Sequence, residues 1–331
     1  MSGKTDQVKM QQERWEKRLR TYSEFGEWGG FVLATVQGSI EEINGLKQAE
    51  GSKLVATREG SYRNWDPDVL GVDEAAEGYI FEALKRFGKI KSGGFKAQIL
   101  SEEAGTRTVD FGGAPVILVS DPFDGSLLYK NDLGAFYYTT VAVYDAEGNH
   151  LATAVGDCVN NRVDFANTEK AFTARYGSAG LEQARPARLS ETTELSNSAM
   201  ESYMMKPKYL FQEKDDQYSF VETFKPLLEQ VKFINTNGGP SGFTDIAMGR
   251  AQFYLAHKQP MIEIFSGQGV ARTAGALITT FDGEPVTLVP DINRRYFVVC
   301  SANRKLHDTV LAVIAEIKKK TGYEWKKPAK A

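Results

Sequence analysis

Apolar residues recur at helical spacing early in the chain. Trp15, Leu19, Tyr22 and Phe25 stand three or four apart, and Val32, Val36, Ile40 and Ile43 continue the stripe beyond Gly29-Gly30. That spacing turns one helix face toward a core and predicts one amphipathic helix, or two broken at the glycine pair. A second stripe, Ala76, Ile80, Ala83, Leu84 and Phe87, predicts a helix over 73–87. Asp73 stands near its start, where a carboxylate suits the helix dipole. Between the two, the stretch from Gly60 to Gly71 carries Asn64, Asp66, Pro67 and Asp68 and reads as a loop. Short apolar runs over 97–100, 116–120, 136–144 and 151–155 then predict strands, with a hairpin loop at Asp145-Ala146-Glu147-Gly148-Asn149. Two more strands are predicted over 162–165 and 171–174. The stretch from Gly177 to Thr193 is richer in Gly, Ser, Pro and charge. A boundary near 188 is expected there, dividing an α+β domain over 1–188 from an α/β domain over 189–331. Beyond it the pattern predicts a strand over 231–234, a turn at Gly238-Gly239, a helix over 243–248 and a strand over 252–256. A small-residue helix over 265–274, strands near Leu277 and over 296–300, and a closing helix over 306–318 follow. Leu306, Val310, Val313, Ile314 and Ile317 form the buried face of that last helix. This alternation implies mixed α/β layering. The terminal YEWKKPAKA reads as a frayed basic tail.

Composition narrows the functional classes. A net charge of −3 over 331 residues gives no electrostatic footprint for nucleic acid or an anionic membrane. No apolar run approaches the ~20 residues of a membrane span, and the polar start lacks the apolar stretch of a signal peptide. Cys158 and Cys300 are the only cysteines, which excludes a disulfide framework and a cysteine-built zinc site. A reducing, cytoplasmic setting is expected.

The chemistry concentrates at two strand ends. In VILVSDPFDGS (116–126) an apolar strand stops at Asp121, and a second carboxylate, Asp124, follows three residues later. Pro122 fixes its own φ and cannot continue a ladder, so both acids sit on a tight turn. The following Gly125-Ser126 could open a helix whose free N–H groups form an anion site beside a cation site. The same Asp-Pro-x-Asp-Gly pattern is also ordinary turn chemistry. In ILSEEAG (99–105) another strand runs into Glu102 and Glu103. Two acid pairs in one region favour a hard, oxygen-liganded cation such as Mg²⁺, because adjacent like charges cost energy unless neutralised. His150, His257 and His307 have no metal or triad spacing and read as structural or surface residues.

With SEEAG followed by DPFDGS, the chain resembles the fructose-1,6-bisphosphatase and inositol monophosphatase superfamily of metal-dependent phosphatases. The likeness runs from the helix at Asp73 to Ser301-Ala302-Asn303-Arg304. It implies a layered α-β-α-β-α sugar-phosphatase fold of two sub-domains, each a sheet flanked by helices. It also implies two or three Mg²⁺ ions, with Mn²⁺ as a substitute. One would be held by Glu102, Asp121 and the carbonyl of Phe123, a second by Asp121, Asp124 and a C-terminal acid. The family's Trp-Asp or Tyr-Glu motif is altered here. Counted from Gly249-Arg250-Ala251, the acid position falls on Glu263 in Ile262-Glu263-Ile264, with Gly275-Ala276 where Gly-Gly is usual. A rival alignment through Thr273-Ala274-Gly275 would put Ala271 there and leave the site one acid short. The resemblance further implies that Glu102 and Ser126 position and activate a water, that Asp73 supports the Ser126 hydroxyl, and that the N–H groups of Gly125 and Ser126 hold the phosphate.

Ser-Glu-Glu, Ser126 in place of threonine and Glu263 in place of aspartate lean toward the bisphosphatase branch. Lys258, upstream of Glu263, could reach a second phosphate or a sugar oxygen; Arg250 and Arg272 are weaker candidates that also read as structural. The reading adopted is a hydrolase of a small phosphomonoester of a sugar or polyol, assembled as a homo-oligomer by resemblance. A fructose-1,6-bisphosphatase is the runner-up and a nucleotide 3′-phosphatase a lesser alternative. A relative that binds metal and phosphorylated ligand without turnover is the alternative of another class.

Overall fold

The computed structural model describes residues 2–57, 68–205, 207–211 and 219–322. The expected loop from 60 falls largely, and the basic tail wholly, outside the described residues. The chain divides into two compact units, residues 1–186 and 187–331. Both mix helices with sheet, and no helix among the described residues is long and apolar enough to cross a membrane.

The first unit opens with α1 (Ser2–Thr21), α2 (Gly26–Gly45) and α3 (Gln48–Gly51), followed by the strand pair β1 (Leu54–Thr57) and β2 (Asp68–Leu70) and the long α4 (Gly71–Ile90). The apolar stripe is broken, but not at Gly29-Gly30. Those two lie buried inside α2, where the missing side chains let the helix approach Phe25 and Phe165 at Gly29 and Leu19 and the Tyr22 carbonyl at Gly30. The break falls at Tyr22–Gly26, where Gly26 takes φ 80°, a conformation that costs other residues more. Every residue of α2 from Gly29 to Ile40 is buried, because the helix packs against α1, α4 and the sheet.

That sheet contains β3 (Lys96–Ser101), β4 (Gly105–Asp110), β5 (Pro115–Ser120), β6 (Tyr138–Asp145), β7 (His150–Asp157), β8 (Arg162–Asn167), β9 (Ala171–Gly177) and β10 (Gly180–Pro186), with the short α5 (Ser126–Lys130) between β5 and β6. Among the described residues the order is β10-β9-β8-β7-β6-β5-β3-β4. Neighbours run antiparallel except β3 and β5, which are parallel. The expected strand from 136 starts at Tyr138; Phe136 precedes it with φ 60°. β4 and β10 are strands the apolar pattern did not predict. Asp145 closes the predicted hairpin by accepting the backbone N–H groups of Glu147 and Asn149.

The second unit holds β11 (Ala199–Glu201), α6 (Pro207–Phe211), α7 (Phe220–Leu228), β12 (Phe233–Asn235), α8 (Gly239–Ala247), β13 (Phe253–Pro260), α9 (Met261–Phe265), α10 (Gln268–Thr273), β14 (Leu277–Thr280), β15 (Arg295–Ser301) and α11 (Arg304–Thr321). Its strands run in the order β12-β11-β13-β15-β14 among the described residues. The single helix expected over 265–274 is two short ones meeting at Ser266-Gly267. α11 is capped by Asn303, whose side chain accepts the Leu306 N–H, and buries Leu306, Val310, Ile314 and Ile317 against Phe224, Leu255 and Val299 of one core. His257 lies in that core among Phe220, Phe224, Phe281 and Phe297. Burial pulls its imidazole down from 6.5 to about 3.

Candidate metal centre

The parallel pairing of β3 with β5 aligns Ser101 with Ser120, so both strands end at the same level of the sheet. The next residue of each chain segment is an acid, Glu102 on one and Asp121 on the other, and the Glu102 N–H donates to the Ser120 carbonyl at 3.2 Å. A carboxylate oxygen of Glu102 and one of Asp121 lie within 4.8 Å of each other. Acids 19 positions apart in sequence are thus brought together by strand register alone.

β6 fixes the turn that follows. The Thr140 N–H donates to the Asp121 carbonyl at 2.8 Å, and the Asp121 N–H donates to Thr140 Oγ1 at 3.0 Å. Tyr138 and Asp124 exchange backbone hydrogen bonds, each 2.9 Å. Phe123 is buried with its ring edge-on to Tyr129, so its side chain anchors the turn while its carbonyl accepts the Ser126 hydroxyl at 3.3 Å. Gly125 takes φ 114°, and a Cβ there would stand 2.4 Å from the Phe136 carbonyl oxygen. Only glycine fits.

α4 reaches the site with two carboxylates one turn apart. Asp73 is fully buried; one of its oxygens caps the helix by accepting the Leu70 N–H at 2.7 Å, and the other accepts the Ser126 hydroxyl at 2.6 Å. One oxygen of Glu77 accepts the Ser101 hydroxyl at 2.5 Å and the Ala104 N–H at 2.8 Å, so it holds the SEEAG segment at two points. Neither Glu77 nor Thr140 was singled out from sequence. The signal for Glu77 was its i,i+4 spacing from Asp73, which puts both on one helix face.

The electrostatics favour a cation. Asp121 is fully buried, and removal of Asp124 from water, together with the charge of Glu102, pushes the Asp124 carboxyl up to about 7. Oxygen donors without histidine or cysteine suit Mg²⁺ or Mn²⁺ better than zinc, so the residues fit the expected metal.

In the second unit Glu263 occupies the first turn of α9 at 8% exposure. Lys258 sits in a bulge of β13 with φ 52°. Arg250 pairs with Asp245 at 2.8 Å, and Arg272 donates weakly to Gln268 and to the Val286 carbonyl, which gives both arginines structural partners. Buried Glu201, unmarked by any motif, accepts the Gly238 N–H at 3.2 Å; its burial and the neighbouring Asp245 raise its carboxyl well above the usual range.

The family model of the inositol monophosphatase family matches residues 33–319. The chain belongs to that family. No curated protein matches it. Similar solved structures include an extragenic suppressor protein SuhB from Bartonella henselae, 16% identical over 85% of this chain and 95% of that one, with a TM-score of 0.63. An IMPase from Thermotoga maritima is 15% identical over 87% and 96%, at 0.63. A staphylococcal IMPase-II with bound inositol monophosphate is 18% identical over 88% and 96%, at 0.63. These likenesses carry the mixed α/β fold. Membership of the inositol monophosphatase family, which is generally metal-dependent, supports a phosphatase.

Proposed function

We propose that this protein hydrolyses a small phosphomonoester of a sugar or polyol with the help of two or three Mg²⁺ ions. The observation that carries the reading is the approach of Glu102 to Asp121, with its charge also felt at Asp124, beside a turn whose Ser126 hydrogen-bonds to buried Asp73. Glu102, Asp121 and the Phe123 carbonyl would hold one ion. Asp121 and Asp124 would hold another with Glu263, which is supported by its count from Gly249-Arg250-Ala251. Magnesium there would supply Lewis acidity toward the phosphoryl oxygens and lower the pKa of a nearby water.

The remaining chemistry belongs to the chain. The Ser126 hydroxyl donates its hydrogen bond to Asp73, which leaves the Ser126 lone pairs to accept a bond from the attacking water and aim it. Glu102 accepts the proton that this water loses. The N–H groups of Gly125 and Ser126 would hold the phosphate and stabilise the charge that builds on its oxygens. Lys258 is assigned a contact to the substrate's polyol or second phosphate. The protein works as a homo-oligomer in the cytoplasm.

A panel of sugar monophosphates, sugar bisphosphates, inositol phosphates and nucleotide phosphates tests this by phosphate release with Mg²⁺. Turnover of a monophosphate, lost with chelator and in Asp121→Asn and Glu102→Gln, is expected. Preference for fructose 1,6-bisphosphate would move the substrate to the bisphosphatase branch. Metal-dependent binding without release anywhere in the panel would overturn hydrolysis in favour of a binder.

A further inference from the structure

Away from the acidic turn, the first unit contains a cavity of about 190 Å³ between α1, α2 and the turn joining β9 to β10 at residues 177–180. We propose that it is a second anion site, for a small dianion such as inorganic phosphate or a phosphate monoester. Arg14, Lys17 and Arg18 of α1 line it, together with Tyr22 at the end of that helix and Gln37 and Glu41 of α2. Arg18 is already held: its guanidinium pairs with Glu41 and donates to the Tyr79 hydroxyl at 3.4 Å. Arg14 and Lys17 are exposed and make no ion pair among the described residues. Three cations around one concavity, answered by a single acid, repel one another until an anion enters. The Tyr22 hydroxyl donates to Gln37 Oε1 at 2.7 Å, which fixes the amide while its N–H groups remain as donors. Gly180 is close enough to α1 that a Cβ would lie 3.1 Å from Thr21, so the turn walls the cavity instead of standing clear of it.

One helix and one strand connect the cavity to the acidic turn. Between Gln37 and Glu41 on α2, Ser39 shares a hydrogen bond of 2.8 Å with Thr139 of β6. The residues flanking Thr139 are Tyr138 and Thr140, the two whose backbones hold Asp124 and Asp121.

The site is read on the full chain stripped of metal with chelator, by calorimetric titration with inorganic phosphate and with phosphoglycolate, so the result does not depend on hydrolysis. Saturable binding is expected in the parent protein and in Asp121→Asn. It should weaken roughly tenfold or more in the double variant Arg14→Ala/Lys17→Ala, whose exposed side chains leave the melting temperature unchanged. No saturable binding in the parent, or equal binding in the double variant, overturns the site. Loss in Asp121→Asn would assign the anion to the acidic turn and overturn it as well.

Discussion

The bond between Ser126 and Asp73 offers the sharpest test, because it bears on stability and on chemistry at once. Ser126→Ala deletes the donor of a 2.6 Å bond to a carboxylate with no solvent exposure. Hydrogen bonds to charged groups contribute ~1.5–3 kcal/mol, and a buried acceptor left short of a partner costs toward the upper end of that range. A loss of ~2 kcal/mol is therefore expected in urea unfolding. Asp73→Asn keeps an oxygen for the Leu70 N–H but turns an N–H₂ group toward the hydroxyl, so its cost should overlap with that of Ser126→Ala. The double variant should then be more stable than the sum of the two singles predicts, by on the order of 1 kcal/mol. Turnover at saturating Mg²⁺ should fall on the order of 10²-fold in Ser126→Ala and recover in Ser126→Thr, which restores the hydroxyl. Fully additive stability losses would refute the structural bond. Coupled stability with unchanged turnover in Ser126→Ala would refute the water-positioning role and leave the bond a structural one.

Gly125→Ala forces a Cβ to within 2.4 Å of the Phe136 carbonyl at φ 114°, so a loss above ~2 kcal/mol and collapse of metal binding are expected in thermal melts and metal titrations. Glu77→Ala frees the Ser101 hydroxyl and the Ala104 N–H, and should weaken Mn²⁺ binding roughly 10–100-fold, whereas Glu77→Gln keeps the acceptor and most of the affinity; equal effects would contradict the grip. His257 titrates at about 3 when folded, against 6.5 for the ordinary imidazole. Between those values the unfolded chain binds a proton that the folded chain refuses, so His257 makes stability fall with acid by ~1.4 kcal/mol per pH unit. A His257→Phe variant should show a slope shallower by that amount over pH 4–6 in denaturant titrations, and an unchanged slope would refute the assignment.

The acidic turn was legible because its chemistry is contiguous: a strand that stops at Asp121-Pro122 and restarts at Gly125-Ser126 carries its geometry in its own residue types. The resemblance supplied Glu102 as its partner, but only the parallel register of β3 on β5 explains why the two meet. Residues that hold the site from outside were harder to see. Glu77 lies on a helix where a charge reads as a solvated face, and Thr140 lies in an apolar strand where a threonine reads as β-propensity. β4 and β10 escaped because edge strands with mostly exposed side chains lack the alternation that marks a half-buried strand. α7 carries Phe220, Phe224 and Leu227 at helical spacing, but Pro226 in its last turn masks the pattern. The stripe of α1 and α2 is helical as expected, but neither expected form, one helix or two broken at Gly29-Gly30, is the one found, because glycine serves close packing as readily as it ends a helix.

The pairing of β3 with β5 also limits how this protein could be re-engineered. The gap between Glu102 and Asp121 is measured out by backbone rungs, not by flexible side chains, so a one-residue slip would carry one acid about 3.3 Å along the sheet and turn it to the opposite face. Insertions at that end of either strand would be felt as a lost ion, however mild they look in sequence.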